Sequence, residues 1–320
     1  MIATAIKSPL AHELRNSKGM MVDIKTDQRQ LARWFASLVR AIQPQQWTKL
    51  VVIYAALVFD GKLFQPNLLL GTTLIVLAFC LAAGSISLLN HCIYGQQRQR
   101  PQLRTRLGES LGLRTALVVV MLLALLSLGI SIWLDTRVGL VTAVYLLVNI
   151  AYHFYLKSLV IIDVLVLVLG SLLGVFAGAI FVDVEKFSPW LYICVTLLAS
   201  FLGFAKRRHE LTLWQDAAIQ DCSVLAHYSL PLIDQIIGLV TTSMLLTYTL
   251  YTFGASTALT DDGRLLLTTP FVFYFVVRYF YLIHVKKIGG APDELLWKDK
   301  PLLVNSLLWV SAIVGLIYIG

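Results

Sequence analysis

Apolar residues in this chain do not alternate with polar ones. They gather into long runs separated by short polar stretches, at roughly 48–64, 67–93, 115–134, 138–156, 159–182, 189–206, 232–254, 268–284 and 302–320. A helix needs about 20 apolar residues to cross the ~30 Å hydrocarbon core of a bilayer. Inside that core every backbone N–H and C=O must be paired within the segment, which a helix achieves by itself. The pattern therefore predicts an all-α polytopic membrane protein with about nine transmembrane helices. Pro189 and Pro301 stand at expected helix starts, where a missing N–H costs nothing.

The N-terminal stretch reads differently. Residues 1–28 are polar, lack the apolar stretch of a signal peptide, and are expected to form a disordered tail. Over residues 29–46 the period changes. Leu31, Trp34, Phe35, Leu38, Val39 and Ile42 fall on one helical face, while Arg29, Arg33 and Arg40 fall opposite. That pattern suits an amphipathic helix lying in the membrane interface, although an ordinary packed helix would share it. Residues 47–320 form the expected transmembrane helical domain.

Lys and Arg set the orientation. One side of the expected spans collects eight in the N-terminal segment (Lys7 to Lys49), five between Arg98 and Arg114, then Lys157, then Lys206, Arg207 and Arg208, and four between Lys286 and Lys300. The other side holds only Lys62, Arg137, Lys186 and Arg264, while Arg278 lies within a span. A split of 21 to 4 places the N-terminus and the long loops in the cytoplasm of a cell membrane.

Composition agrees with this picture. The 320 residues are 58% hydrophobic and 14% charged, about half the charge of a soluble domain. The formal net charge of +8 suits anionic lipid heads or phosphorylated substrates. Without a folded basic domain, nucleic acid is not an expected partner. Cys80, Cys92, Cys194 and Cys222 form no CxxC pair and are read as small apolar residues rather than metal ligands.

Several stretches on the expected cytoplasmic side carry a resemblance. They are Gln43 to Lys49, Tyr152 to Lys157 followed by Ile162-Asp163-Val164, and Lys206 to Leu211. Tyr228 with Asp234-Gln235, Tyr248 to Phe253, Arg278 to Leu282, and Gly289 to Leu296 follow. In order and spacing they resemble the UbiA superfamily of intramembrane prenyltransferases, and within it the decaprenyl-phosphate phosphoribosyltransferase branch. The resemblance covers about residues 40–320. It implies helices around a central lipid-accessible cavity, with a diphosphate at the cytoplasmic mouth. It further implies a polyprenyl phosphate acceptor, a phosphoribosyl pyrophosphate or other diphosphate donor, and Mg²⁺ on the departing diphosphate.

One departure changes the chemistry. The family carries N-D-x-x-D-x-x-x-D after the second span, and its carboxylates hold Mg²⁺. Here the stretch reads Asn90-His91-Cys92-Ile93-Tyr94-Gly95-Gln96-Gln97-Arg98-Gln99-Arg100-Pro101, and no acidic residue occurs between Asp60 and Glu109. Such a loop repels a divalent cation, so Mg²⁺ is doubtful here and no metal ligands are assigned. Its arginines can bind phosphate directly through paired N–H donors, or merely mark the inner side of the membrane.

Candidate substrate-binding residues are Lys49, Asn90, Arg98, Arg104, Arg106, Tyr152, Lys157, Lys206 and Arg207; candidate catalytic residues are Asp163 and Glu210. Lys206 and Arg207 are expected to bind phosphate at the end of the sixth span, with Glu210 orienting them or holding metal. Asp163 falls about a turn and a half into an apolar span. A carboxylate there costs about 2.5–3.5 kcal/mol on insertion scales and needs a partner, for which Lys157 or Lys206 stands nearest. Lys157 by itself is explained by snorkelling, Tyr152 by packing, and Asp234 by capping the seventh span. Two functions remain: a transferase acting on a lipid phosphate, and a catalytically silent relative that binds a polyprenyl lipid or a partner protein. A transporter finds no support, because no inverted repeat is visible.

Overall fold

The computed structural model describes residues 50–94, 113–184, 189–217, 225–254, 263–286 and 292–318. The expected tail 1–28, the amphipathic helix 29–46, Lys49, Arg98, Arg104 and Arg106 lie outside the described residues. Among the described residues ten helices follow one another. They are α1 (Leu50–Phe59), α2 (Pro66–Tyr94), α3 (Leu113–Leu134), α4 (Thr136–Phe154) and α5 (Ile162–Val182). Then come α6 (Pro189–Ala217), α7 (Leu230–Gly254), α8 (Thr269–His284), α9 (Pro292–Lys298) and α10 (Lys300–Tyr318). Eight of them are long and apolar enough to cross a membrane; α1 is a shorter apolar helix and α9 a short connecting one. The first span is thus shorter than its apolar run, because the chain turns after Asp60 through Gly61 at φ 71°.

Helix α5 is the axis of the bundle. One face, from Val164 to Val175, joins a core with Phe201 and Phe204 of α6, Ile233 and Ile237 of α7, and Tyr279 of α8. Its Ala177 joins a second core with Ile53 of α1, Ile75 and Phe79 of α2, and Tyr145 of α4. Small residues permit this double packing. A methyl group on Gly178 would sit 2.7 Å from the Ile53 carbonyl oxygen, so α1 rests directly on the α5 backbone. A methyl group on Gly203 would sit 2.7 Å from Val164 Cγ1, so α6 approaches α5 equally closely.

Two helix boundaries differ from the sequence pattern, and both matter to the site. Helix α6 continues eleven residues past the expected end at 206 and reaches Ala217. Nothing in Lys206-Arg207-Arg208-His209-Glu210-Leu211 breaks a helix, and Arg207, Arg208 and Glu210 find charged partners instead of water. Helix α5 begins three residues later than expected, at Ile162. Ile161 holds φ 69°, ψ −46°, a strained conformation for a β-branched residue, which stops the helix from extending backwards. Asp163 therefore sits in the first turn of α5, where the helix dipole favours a carboxylate.

Candidate functional site

The Gly203 contact positions the site. Arg207 lies one turn further along the same face of α6, and Asp163 precedes Val164 on α5. Pressing α6 onto Val164 therefore brings Arg207 onto Asp163. Arg207 Nε lies 2.5 Å from Asp163 Oδ2, with the Asp163 side chain 0% exposed and that of Arg207 13% exposed. Arg207 also pairs with Glu210 one turn along α6 and donates to the Tyr152 hydroxyl of α4 at 3.1 Å. Tyr152 is itself buried. One guanidinium thus joins two carboxylates and a phenol from three helices.

The other oxygen of Asp163 is also engaged. Tyr228, just before α7, donates its hydroxyl hydrogen to Asp163 Oδ1 at 2.9 Å. The same hydroxyl oxygen accepts the Ile161 N–H at 2.6 Å. Burial pushes the Tyr228 phenol up to about 12, so it stays protonated and remains a donor. Beside this network Arg208 Nε meets Asp234 Oδ1 at 2.5 Å, fastening α6 to α7. A second intramembrane arginine, Arg278 of α8, donates to both oxygens of Asp299 at 3.2 and 2.9 Å. Asp299 also accepts the Leu302 N–H at 3.0 Å and so caps α10.

The sequence expectations fare unevenly. Asp163 does have a cationic partner, but it is Arg207 rather than Lys157 or Lys206. Arg207 is not an uncommitted phosphate ligand, because two carboxylates already hold it. Glu210 pairs with Arg207 one turn away. Tyr152 is buried, and its hydroxyl also accepts from Arg207. Asp234 is not the cap of α7: Ser229 Oγ accepts the Leu232 N–H, and Asp234 pairs with Arg208. Lys157 sits half-buried in the 3₁₀ turn Leu156–Ser158 that precedes the Ile161 bend. Lys206, also half-buried, enters no ion pair among the described residues. Asn90 lies near the end of α2, its buried side-chain oxygen without a hydrogen bond among the described residues. Tyr228 was legible only as one of the resembling residues, since nothing in a lone tyrosine before an apolar run announces a link to Asp163.

Among the described residues no group of three or more His, Cys, Asp or Glu side chains could hold a metal ion. The carboxylates nearest the site are held by arginines. Along α5 and α6, on the far side of Val164 from Asp163, lies an apolar groove of about 520 Å³. Leu169, Leu172, Leu173, Phe176, Pro189, Tyr192 and Ile193 line it. It begins about 9 Å of helix rise from Asp163.

This arrangement, a polar network at one end of an apolar bundle, is that of an integral membrane protein with the UbiA prenyltransferase fold. The chain superposes on a UbiA homolog from Archaeoglobus fulgidus bound to GPP and Mg²⁺ with a TM-score of 0.66. That match has 15% identity and covers 88% of this chain and 99% of the other. No protein-family model matches the chain. Among relatives by sequence is the decaprenyl-phosphate phosphoribosyltransferase of Corynebacterium glutamicum, 27% identical over 297 residues, 88% of this chain and 87% of that protein. The protein of the same name from Mycolicibacterium smegmatis is 28% identical over 302 residues, 88% and 93% of the two chains. The resemblance read from the sequence is thus borne out along nearly the whole length.

Proposed function

We propose that this chain is a membrane transferase that moves a phosphoribosyl group from phosphoribosyl pyrophosphate to a polyprenyl phosphate, at the end of the bundle that holds Arg207. The observation that carries this reading is the Arg207 network, placed at one end of a UbiA-type bundle in a chain so extensively similar to phosphoribosyltransferases. In the reaction the bond between the ribose C1 and the diphosphate oxygen breaks, and diphosphate leaves with the electron pair. A bond forms between C1 and an oxygen of the lipid phosphate. That oxygen is already ionised, so no strong general base is needed. The demand falls on holding the reactants and stabilising the departing negative charge.

The residues divide this work. Asp163 and Glu210 hold the Arg207 guanidinium in one orientation and act by positioning. Arg207 retains further N–H donors, and together with the Tyr152 hydroxyl they address the phosphates. Lys206 supplies positive charge that no described carboxylate takes up. Arg98, Arg104 and Arg106, with Lys49 and Asn90, are the further phosphate-binding candidates, on the strength of their charge and the resemblance. The apolar groove between α5 and α6 suits part of an isoprenoid tail. The 21-to-4 charge split puts this end in the cytoplasm.

The second reading, a silent lipid-binding relative, is favoured by one observation: the aspartates expected after Asn90 are absent. Purified protein in lipid vesicles, given labelled phosphoribosyl pyrophosphate and polyprenyl phosphate, separates the two. Label in the lipid fraction, with release of diphosphate, supports the transferase. Retained binding of the lipid phosphate without turnover supports the silent relative.

A further inference from the structure

Tyr228 belongs to none of the chemical steps above, yet its hydroxyl joins two features that need explanation. The first is Ile161, whose φ of 69° persists only where its surroundings over-determine it. The second is Asp163, a carboxylate with no exposure to solvent, whose Oδ2 meets Arg207 as an ion pair without a hydrogen bond, so that its side-chain hydrogen bonding rests on Oδ1. The Tyr228 hydroxyl serves both at once: it accepts from the Ile161 N–H and donates to Asp163 Oδ1. Its ring belongs to the same buried core as Leu211, Leu225 and Leu295.

We propose that Tyr228 is a positioning residue of the site, whose hydroxyl clamps the Ile161 bend to Asp163 and through Asp163 fixes the orientation of Arg207. The path is continuous: Tyr228 hydroxyl, Asp163 carboxylate, Arg207 guanidinium, then Tyr152 and Glu210. Asp163 has two oxygens for two partners. Removing the phenol oxygen leaves Oδ1 unpaired, and the carboxylate is then free to rotate toward Arg207 and draw it off its present geometry. The Ile161 N–H loses its acceptor in the same step. The link also ties the segment Leu225–His227, which enters α7, to the start of α5. The effect on turnover rests on the transferase reading above, whereas the clamp itself does not.

The test uses full-length protein in lipid vesicles, as wild type, Tyr228→Phe, and Tyr228→Phe combined with Ile161→Gly. Glycine adopts the Ile161 backbone conformation without steric penalty, so the double variant relieves the bend while leaving Asp163 unclamped. Hydrogen exchange across residues 159–165 is expected to quicken at least tenfold in Tyr228→Phe, while exchange in the middle of α5 stays as in wild type. Turnover per folded molecule is expected to fall about 10- to 100-fold, the usual loss when an orienting partner of a site residue is removed, with KM for the donor within about twofold. The double variant is expected to regain thermal stability but not kcat. Unchanged exchange across 159–165 overturns the clamp whether or not the wild type turns over. An unchanged kcat in Tyr228→Phe, or a kcat restored by Ile161→Gly, overturns the positioning role. A wild type that does not turn over defeats the transferase reading alone, and exchange then decides the clamp.

Discussion

Replacing Asp163 by Asn keeps an acceptor for Tyr228 and removes only the charge that faces Arg207. Breaking one partner of a buried ion pair costs about 3–5 kcal/mol, because the remaining charge stays desolvated. Arg207 would keep Glu210, and its side chain is 13% exposed, so Asp163→Asn belongs at the lower end, about 3 kcal/mol. Arg207→Met strands Asp163, whose side chain has no exposure and keeps a hydrogen bond from Tyr228. It belongs higher in that range, about 4 kcal/mol. Combining the two strands neither charge, and coupling between contacting residues reaches about 3 kcal/mol, so the double variant should cost about 4 rather than 7 kcal/mol. Reversible unfolding by SDS titration in mixed micelles measures all three. Transfer activity should fall steeply in every variant, because neutralising the pair restores packing but not the oriented guanidinium. Stability losses that simply add would refute the pairing of these two residues as the centre of the site.

Gly203→Leu should separate α6 from α5. Even a methyl group there meets Val164 Cγ1 at 2.7 Å, so stability should fall by about 1–3 kcal/mol and transfer should be lost with the Arg207 contact; the unfolding midpoint and the assay check both. The hydrogen bonds from Arg278 hold the Asp299 carboxyl below its ordinary value. Its stabilising contribution is therefore fully present above about pH 4 and is lost as pH falls through the lowered value. Thermal stability of the wild type should drop more steeply below pH 4 than that of Asp299→Asn. Transfer should depend on Mg²⁺ far less than in enzymes with the aspartate-rich motif, so the rate in chelator should stay within about tenfold of the rate with Mg²⁺, and collapse in chelator would refute the idea. A cysteine placed at Gln97 should resist impermeant reagents on intact cells and react once the cells are opened; labelling from outside would reverse the orientation.

Much of the fold was legible because bilayer thickness sets the length of an apolar run. Seven runs became helices within a few residues of their expected ends, and an eighth, α6, ran well past its own. The first run failed at Gly61, since an apolar stretch continues through a turn as easily as through a helix. The end of α6 was missed for a related reason: hydropathy stops at Lys206, whereas the helix needs only backbone pairing and partners for its charges, which Asp163, Glu210 and Asp234 supply. The site was legible as a set of residues and not as a set of pairs. Insertion cost demanded a partner for Asp163, but proximity in sequence favoured Lys157. The true partner, 44 residues away, depends on Gly203 letting α6 approach Val164. Tyr228 is 65 residues from Asp163 and left no periodic signal at all.

The central claim is that this bundle transfers a phosphoribosyl group to a lipid phosphate through a site oriented around Arg207. Mass spectrometry of the lipid fraction after incubating vesicle-embedded protein with phosphoribosyl pyrophosphate and polyprenyl phosphate tests it most directly. The account predicts a phosphoribosylated lipid phosphate with one diphosphate released per product, at a rate about 10²- to 10³-fold lower in Arg207→Met. An unmodified lipid with the wild type, or an undiminished product with Arg207→Met, would contradict it.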